Sequence, residues 1–222
     1  ERIEAIRALD SEPLRQRLGL DRARPVLVVL PGSRRSEVGR LIGVFRDTVQ
    51  LLAERGTTPE IVIPVVAHVR SMIEENLASW PGRPHLVEGE DDKWRAFKLA
   101  TAALAASGTV TLELAVAGTP MVIGYKVEAW FAKLMKRLVM VDTAGLPNLV
   151  LGEKAFPEHI QETCTPQVLA PLVAELMSDT PARRSQLAAL ARIPQRLAVP
   201  HGSPSEAAAE IVLRYAARPL SA

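Results

Sequence analysis

Two stretches of this 222-residue sequence combine glycine, hydroxyl and charged side chains in a way that suits an anion. The first is Pro31-Gly32-Ser33-Arg34-Arg35-Ser36-Glu37, which follows the apolar run Val26–Leu30 and precedes a helical pattern. A glycine admits close approach of backbone to ligand. A helix N-terminus and an arginine both stabilise negative charge, so the stretch fits a diphosphate. It is neither a GxxxxGK[ST] loop nor a GxGxxG fingerprint, and an ordinary turn with solvated arginines would use the same residues. The second is Ala106-Ser107-Gly108-Thr109-Val110-Thr111-Leu112-Glu113, after the run Ala102–Ala105. Ser107, Gly108 and Thr109 again offer N–H and hydroxyl groups where a helix begins. Glu113 lies four residues after Thr109, on the same helical face, where its carboxylate could accept two ribose hydroxyls. The alternative is an acidic side chain that complements the helix dipole.

These loops need elements to hold them. Short apolar runs at Val26–Leu30, Ile61–Val66, His85–Val87, Ala102–Ala105 and Met121–Tyr125 alternate with helical patterns at 68–79, 91–99, 109–117 and 127–140. Between the first two runs, Val38, Leu41, Ile42, Phe45, Val49 and Leu52 recur at spacings of three and four, as one buried helical face does. Strands alternating with helices predict an α/β fold, a doubly wound and mainly parallel Rossmann-like sheet covered on both faces. Ligands of such sheets bind beyond the carboxyl ends of the strands, where both stretches fall. Residues 166–178 and 181–193 predict further helices with no later strand, and 205–215 a last helix with an apolar stripe. The expected organisation is a polar helical lead-in over 1–23, the sheet domain over 24–199 and a terminal helix over 200–222.

A balance of 27 Lys+Arg against 25 Asp+Glu, net +2, with only three Trp, two Tyr and four Phe, argues against a nucleic-acid partner. Cys164 has no second cysteine to pair with, and the four histidines (68, 85, 159 and 201) match no zinc spacing. The opening ERIEAIRALD has no secretory core and predicts a cytosolic chain. Ala100–Tyr125 is long enough to span a membrane, but Ser107-Gly108-Thr109 and Gly118-Thr119-Pro120 interrupt it, so strand, helix and strand are expected there. Between Val127 and Met140, Trp130, Phe131 and Leu134 belong to an apolar stripe flanked by Lys126, Lys133, Lys136 and Arg137. Such a helix can lie in a membrane interface or cover the sheet.

LPGSRRSE, ASGTVTLELAVAGTPMVIGYK and PNLVLGEKAFPEHIQE together resemble the carboxyl-terminal half of bacterial lipid-A-disaccharide synthases, glycosyltransferases of the GT-B type, from about residue 24 to about residue 180. The second block also resembles, more distantly, the donor segment of the transferase that adds N-acetylglucosamine to the peptidoglycan lipid precursor. The resemblance implies transfer of 2,3-diacylglucosamine from its UDP form to 2,3-diacylglucosamine 1-phosphate with inversion, without metal or other cofactor. It implies diphosphate contacts from Gly32, Ser33 and Arg34, with Arg34 stabilising the leaving group, and from Ser107, Gly108 and Thr109. Glu113 is implied at the ribose, and Asn148 and Gln161 at the donor sugar or phosphate. It further implies a peripheral place on the inner membrane, with Trp130, Phe131, Leu134, Lys133, Lys136 and Arg137 at lipid. An amino-terminal domain is implied to supply the general base, so the chain alone is expected to be inactive; neither Asp142 nor Glu158 has a case as that base. The final helix is expected to dock on that domain or on a second copy in a homodimer. Another GT-B-type UDP-sugar enzyme, transferase or epimerase, and a non-catalytic nucleotide-binding module are the other readings.

Overall fold

A computed structural model describes residues 2–128, 143–198, 202 and 204–216. Six strands form one parallel sheet: β1 (Val26–Leu30), β2 (Glu60–Val65), β3 (His85–Glu88), β4 (Ala102–Ala106), β5 (Met121–Tyr125) and β6 (Glu158–Ile160), in the order β3-β2-β1-β4-β5-β6. The helices are α1 (Arg2–Ala8), α2 (Glu12–Leu18), α3 (Arg35–Glu54), α4 (Ala67–Leu77), α5 (Glu90–Leu99), α6 (Thr109–Ala117), α7 (Leu146–Leu151), α8 (Pro166–Leu176), α9 (Pro181–Leu197) and α10 (Pro204–Ala216).

The period-two geometry of a strand divides the core. Leu27, Val29, Ile61, Ile63 and Leu104 face one side, where Val38, Leu41, Phe45 and Val49 of α3 meet Leu169 and Val173 of α8. Val28, Leu30, Val62, Ala103 and Ile123 face the other, against Phe97 of α5, Leu114 of α6 and Leu190 of α9. Burial on both faces explains why β1 and β4 read as unbroken apolar runs: every residue of both is buried. In β5, a Cβ at Gly124 would lie 3.0 Å from Phe45 and 3.2 Å from Cys164 Sγ, so the missing side chain lets the α3 aromatic ring seat on the sheet. Cys164 is fully buried there as a small apolar filler, and burial pushes its thiol pKa up.

The doubly wound plan holds, and Ala100–Tyr125 is β4, α6 and β5; among the described residues no helix is long and apolar enough to cross a membrane. The lead-in departs from expectation. It is two helices rather than one, because the Asp10 carboxylate accepts the Glu12 amide hydrogen at 2.9 Å and Pro13 suits only a first helical turn. Leu14 and Leu20 are buried among the second core, so the lead-in is part of the same packing unit. The short strand β6 and helix α7 were not foreseen. The α10 side chains Ile211, Val212, Leu213 and Tyr215 are 56–67% exposed. The stripe residues Trp130, Phe131, Lys133, Leu134, Lys136 and Arg137, and also Asp142, lie outside the described residues.

Candidate active site at the switch point

The strand order reverses between β1 and β4, so the chains leaving these neighbours turn to opposite faces and open a crevice. A cleft of about 730 Å3 occupies it, within the range of small-ligand sites. Gly32, Ser33, Arg34 and Glu37 line it on one side; Ser107, Gly108, Thr109 and Glu113 line it on the other. Two sequence stretches that begin 75 residues apart (31 and 106) are thereby brought to one cleft, at the carboxyl ends of the strands where a doubly wound sheet places them.

The loop before α3 is braced from within. Glu37, in the first turn of α3 and only 9% exposed, turns back so that Oε2 accepts the amide hydrogens of Ser33 at 3.2 Å and Arg34 at 3.3 Å. Its Oε1 accepts from the Arg34 guanidinium at 2.7 Å. Gly32 has φ +117°, a conformation that side chains avoid, and a Cβ there would lie 2.6 Å from Glu37 Cβ. The Ser33 carbonyl accepts from His68 Nε2 at 2.7 Å, which ties the loop to the start of α4. Arg34 itself stays 77% exposed at the side chain, available to a ligand.

The loop before α6 is held more lightly. Ser107 Oγ donates to the Ala144 carbonyl at 2.9 Å, and Thr111 Oγ1 donates to the Gly108 carbonyl at 2.7 Å. Gly108 and Thr109 are exposed, and no atom lies within 4 Å of a Cβ built on Gly108. Glu113 stands one turn further on, with Lys93 Nζ 3.1 Å from its carboxylate. Lys93 also reaches Glu90 at 2.8 Å and lies 5.3 Å from the centre of the Trp94 ring. Neither Glu37 nor Lys93 was singled out from sequence as a site residue; helical spacing from Glu113 cannot reveal a partner on another helix.

Asn148 and Gln161 lie outside the lining of this cleft; Asn148 lines a second pocket with Glu158 and His159. Asn148 is 1% exposed, and its amide exchanges two hydrogen bonds with the Phe156 backbone, each 2.9 Å, besides donating to Glu158. Those bonds hold the turn between α7 and β6. Gln161 pairs in the same two-point manner with the Val127 backbone, accepting from its N–H at 2.8 Å and donating to its carbonyl at 3.2 Å. Glu158 also accepts from the Ala144 amide at 2.7 Å and from the Thr143 hydroxyl. His159, on β6 beside this turn, has its pKa lowered by burial and also lies outside the cleft lining.

The sequence profile that describes lipid-A-disaccharide synthetases matches residues 3–212. The chain belongs to the lipid-A-disaccharide synthetase family. Its sequence is 45% identical over 216 residues to a lipid-A-disaccharide synthase of Rhodopseudomonas palustris, covering 96% of this chain and 53% of that protein. A Bradyrhizobium diazoefficiens synthase is 46% identical over 189 residues, covering 85% and 48%. The chain thus spans about half the length of the curated relatives it matches. Among solved structures, Anabaena HepE in complex with UDP-glucose superposes with TM-score 0.64 at 15% identity, covering 97% of this chain and 55% of that one. UDP-GlcNAc 2-epimerase from Neisseria meningitidis, bound to UDP-GlcNAc, gives 0.59 at 18%, covering 91% and 48%. At such identities these two matches speak for the fold.

Proposed function

We propose that this chain is the donor-binding half of a lipid-A-disaccharide synthase and seats the UDP portion of UDP-2,3-diacylglucosamine in the cleft between β1 and β4. One observation carries the reading: in a member of this family, the cleft at the switch point unites the Gly32-Ser33-Arg34 and Ser107-Gly108-Thr109 loops with Glu113. Ser107, Gly108 and Thr109 receive the diphosphate at the positive end of α6. Arg34 faces it from the other loop, and Glu113 accepts the ribose hydroxyls. As the anomeric C–O bond breaks, charge grows on UDP, and fixed dipoles with Arg34 stabilise it; one such donor typically contributes on the order of 10²–10³ in rate.

The acceptor, 2,3-diacylglucosamine 1-phosphate, must lose a hydroxyl proton to a base. The cleft-lining carboxylates Glu37, Glu88, Glu90 and Glu113 each form an ion pair, with Arg34, Arg70, Lys93 and Lys93 respectively. The reading takes the base, and most of the acceptor site, from the half of the family's length that this chain does not span. The basic amphipathic pattern over 127–140 supports a peripheral position on the inner membrane, within reach of acyl chains.

Calorimetric titration with UDP, and with ADP as control, tests the reading. Saturable binding selective for UDP, measurably weakened in both Arg34→Ala and Glu113→Ala, is the expected outcome. A folded chain that binds neither nucleotide, or both alike, would remove the assignment.

A further inference from the structure

Glu37 presents a difficulty for a diphosphate site, since it places a carboxylate at the helix end where the ligand's own negative charge is to be held. A side chain there could be a stand-in that the ligand displaces, or a permanent brace. Three observations favour the brace. The side chain is wedged, with a Cβ position on Gly32 only 2.6 Å from Glu37 Cβ and 2.9 Å from Oε2, so only a glycine leaves room for it. It is 9% exposed, whereas a displaceable lid would sit in solvent. Its two oxygens have separate tasks: Oε2 gathers the Ser33 and Arg34 amides, and Oε1 alone meets the Arg34 guanidinium at 2.7 Å.

Resting on the UDP reading above, we propose that Glu37 is a positioning residue for the donor's diphosphate. It engages the amides of its own loop inward and aims the otherwise exposed Arg34 guanidinium across the cleft. The α3 side then meets the anion through one fixed cation, and the backbone cradle is that of Ser107, Gly108 and Thr109. The carboxylate is what makes Arg34 a rigid partner: a guanidinium on a flexible stem loses less freedom on binding when one edge is already held.

The test is Glu37→Gln in the whole chain, which keeps the shape and one acceptor but removes the charge. UDP and UMP affinities are measured calorimetrically for wild type, Glu37→Gln, Arg34→Ala and the double variant, with thermal unfolding to verify the fold. The expected result is a fall in UDP affinity of about tenfold, the weight of one charge-assisted hydrogen bond, with a much smaller change for UMP. In the Arg34→Ala background the same substitution should change nothing, because Glu37 acts through Arg34. Unchanged or tighter UDP binding by Glu37→Gln overturns the proposal, tighter binding being the mark of a displaced stand-in. Equal losses for UDP and UMP, or additive losses in the double variant, overturn it in favour of a purely structural brace. A folded wild type that binds no UDP overturns the functional reading and this inference with it.

Discussion

The two loops that face each other across the cleft solve the same problem in opposite ways. The one before α3 carries its own anion, Glu37, and is tied to α4 through His68. The one before α6 has Glu113 a turn away and paired to Lys93, and its glycine faces open space. A helix end already satisfied by an internal carboxylate is rigid and has less positive potential to offer; one left unsatisfied is a better seat for an external anion. On the proposed reading, the difference separates positioning from binding, with the rigid loop presenting a side chain and the open loop presenting backbone.

Substituting the two glycines in turn tests that division most severely. Gly32→Ala combines a positive φ with a collision against Glu37, and should lower stability by about 3 kcal/mol in urea unfolding and abolish UDP binding. Gly108→Ala meets no neighbour. With φ +154° it should lower stability by only about 1 kcal/mol, while its methyl group, standing where the anion approaches, weakens UDP by about tenfold in calorimetry. Equal stability losses at the two positions would erase the distinction between the loops. Smaller still, Lys93→Met leaves Glu113 without its cation but keeps the apolar stem, and should weaken UDP about threefold, less at high salt, since a partly exposed ion pair contributes under about 1 kcal/mol. A loss as large as that of Gly108→Ala would mean that Lys93 contacts the nucleotide directly.

Strands buried on both faces were the most legible elements. Val26–Leu30 and Met121–Tyr125 are β1 and β5 as read from the sequence, because the apolar run and the strand end at the same turn residues. The long amphipathic face of α3 was equally plain, Val38 through Leu52 all lying in one core. What escaped was short: β6 is the three residues Glu158–Ile160, polar at the edge of the sheet, and α7 spans six. Neither repeats its pattern through two full periods, although Pro147 at the start of α7 and left-handed Gly152 at its end leave a capping signature. At the site, side-chain types located both loops but not the partners that arise only in three dimensions. Asn148 and Gln161 drew attention by belonging to a family block, yet their amides are engaged by the backbone of their own neighbourhood.

At the far end of α6, Arg7 donates from Nε to the Val116 carbonyl at 3.0 Å and from Nη2 to the Leu190 carbonyl of α9 at 3.1 Å. The nine residues of α6 thus form a rod about 13 Å long whose negative pole is grounded by a fixed cation while its positive pole opens on the cleft. On the proposed reading, an anion arriving there completes a line of alternating charge that begins in α1, and Arg7, remote from the cleft, becomes a terminal of the same circuit.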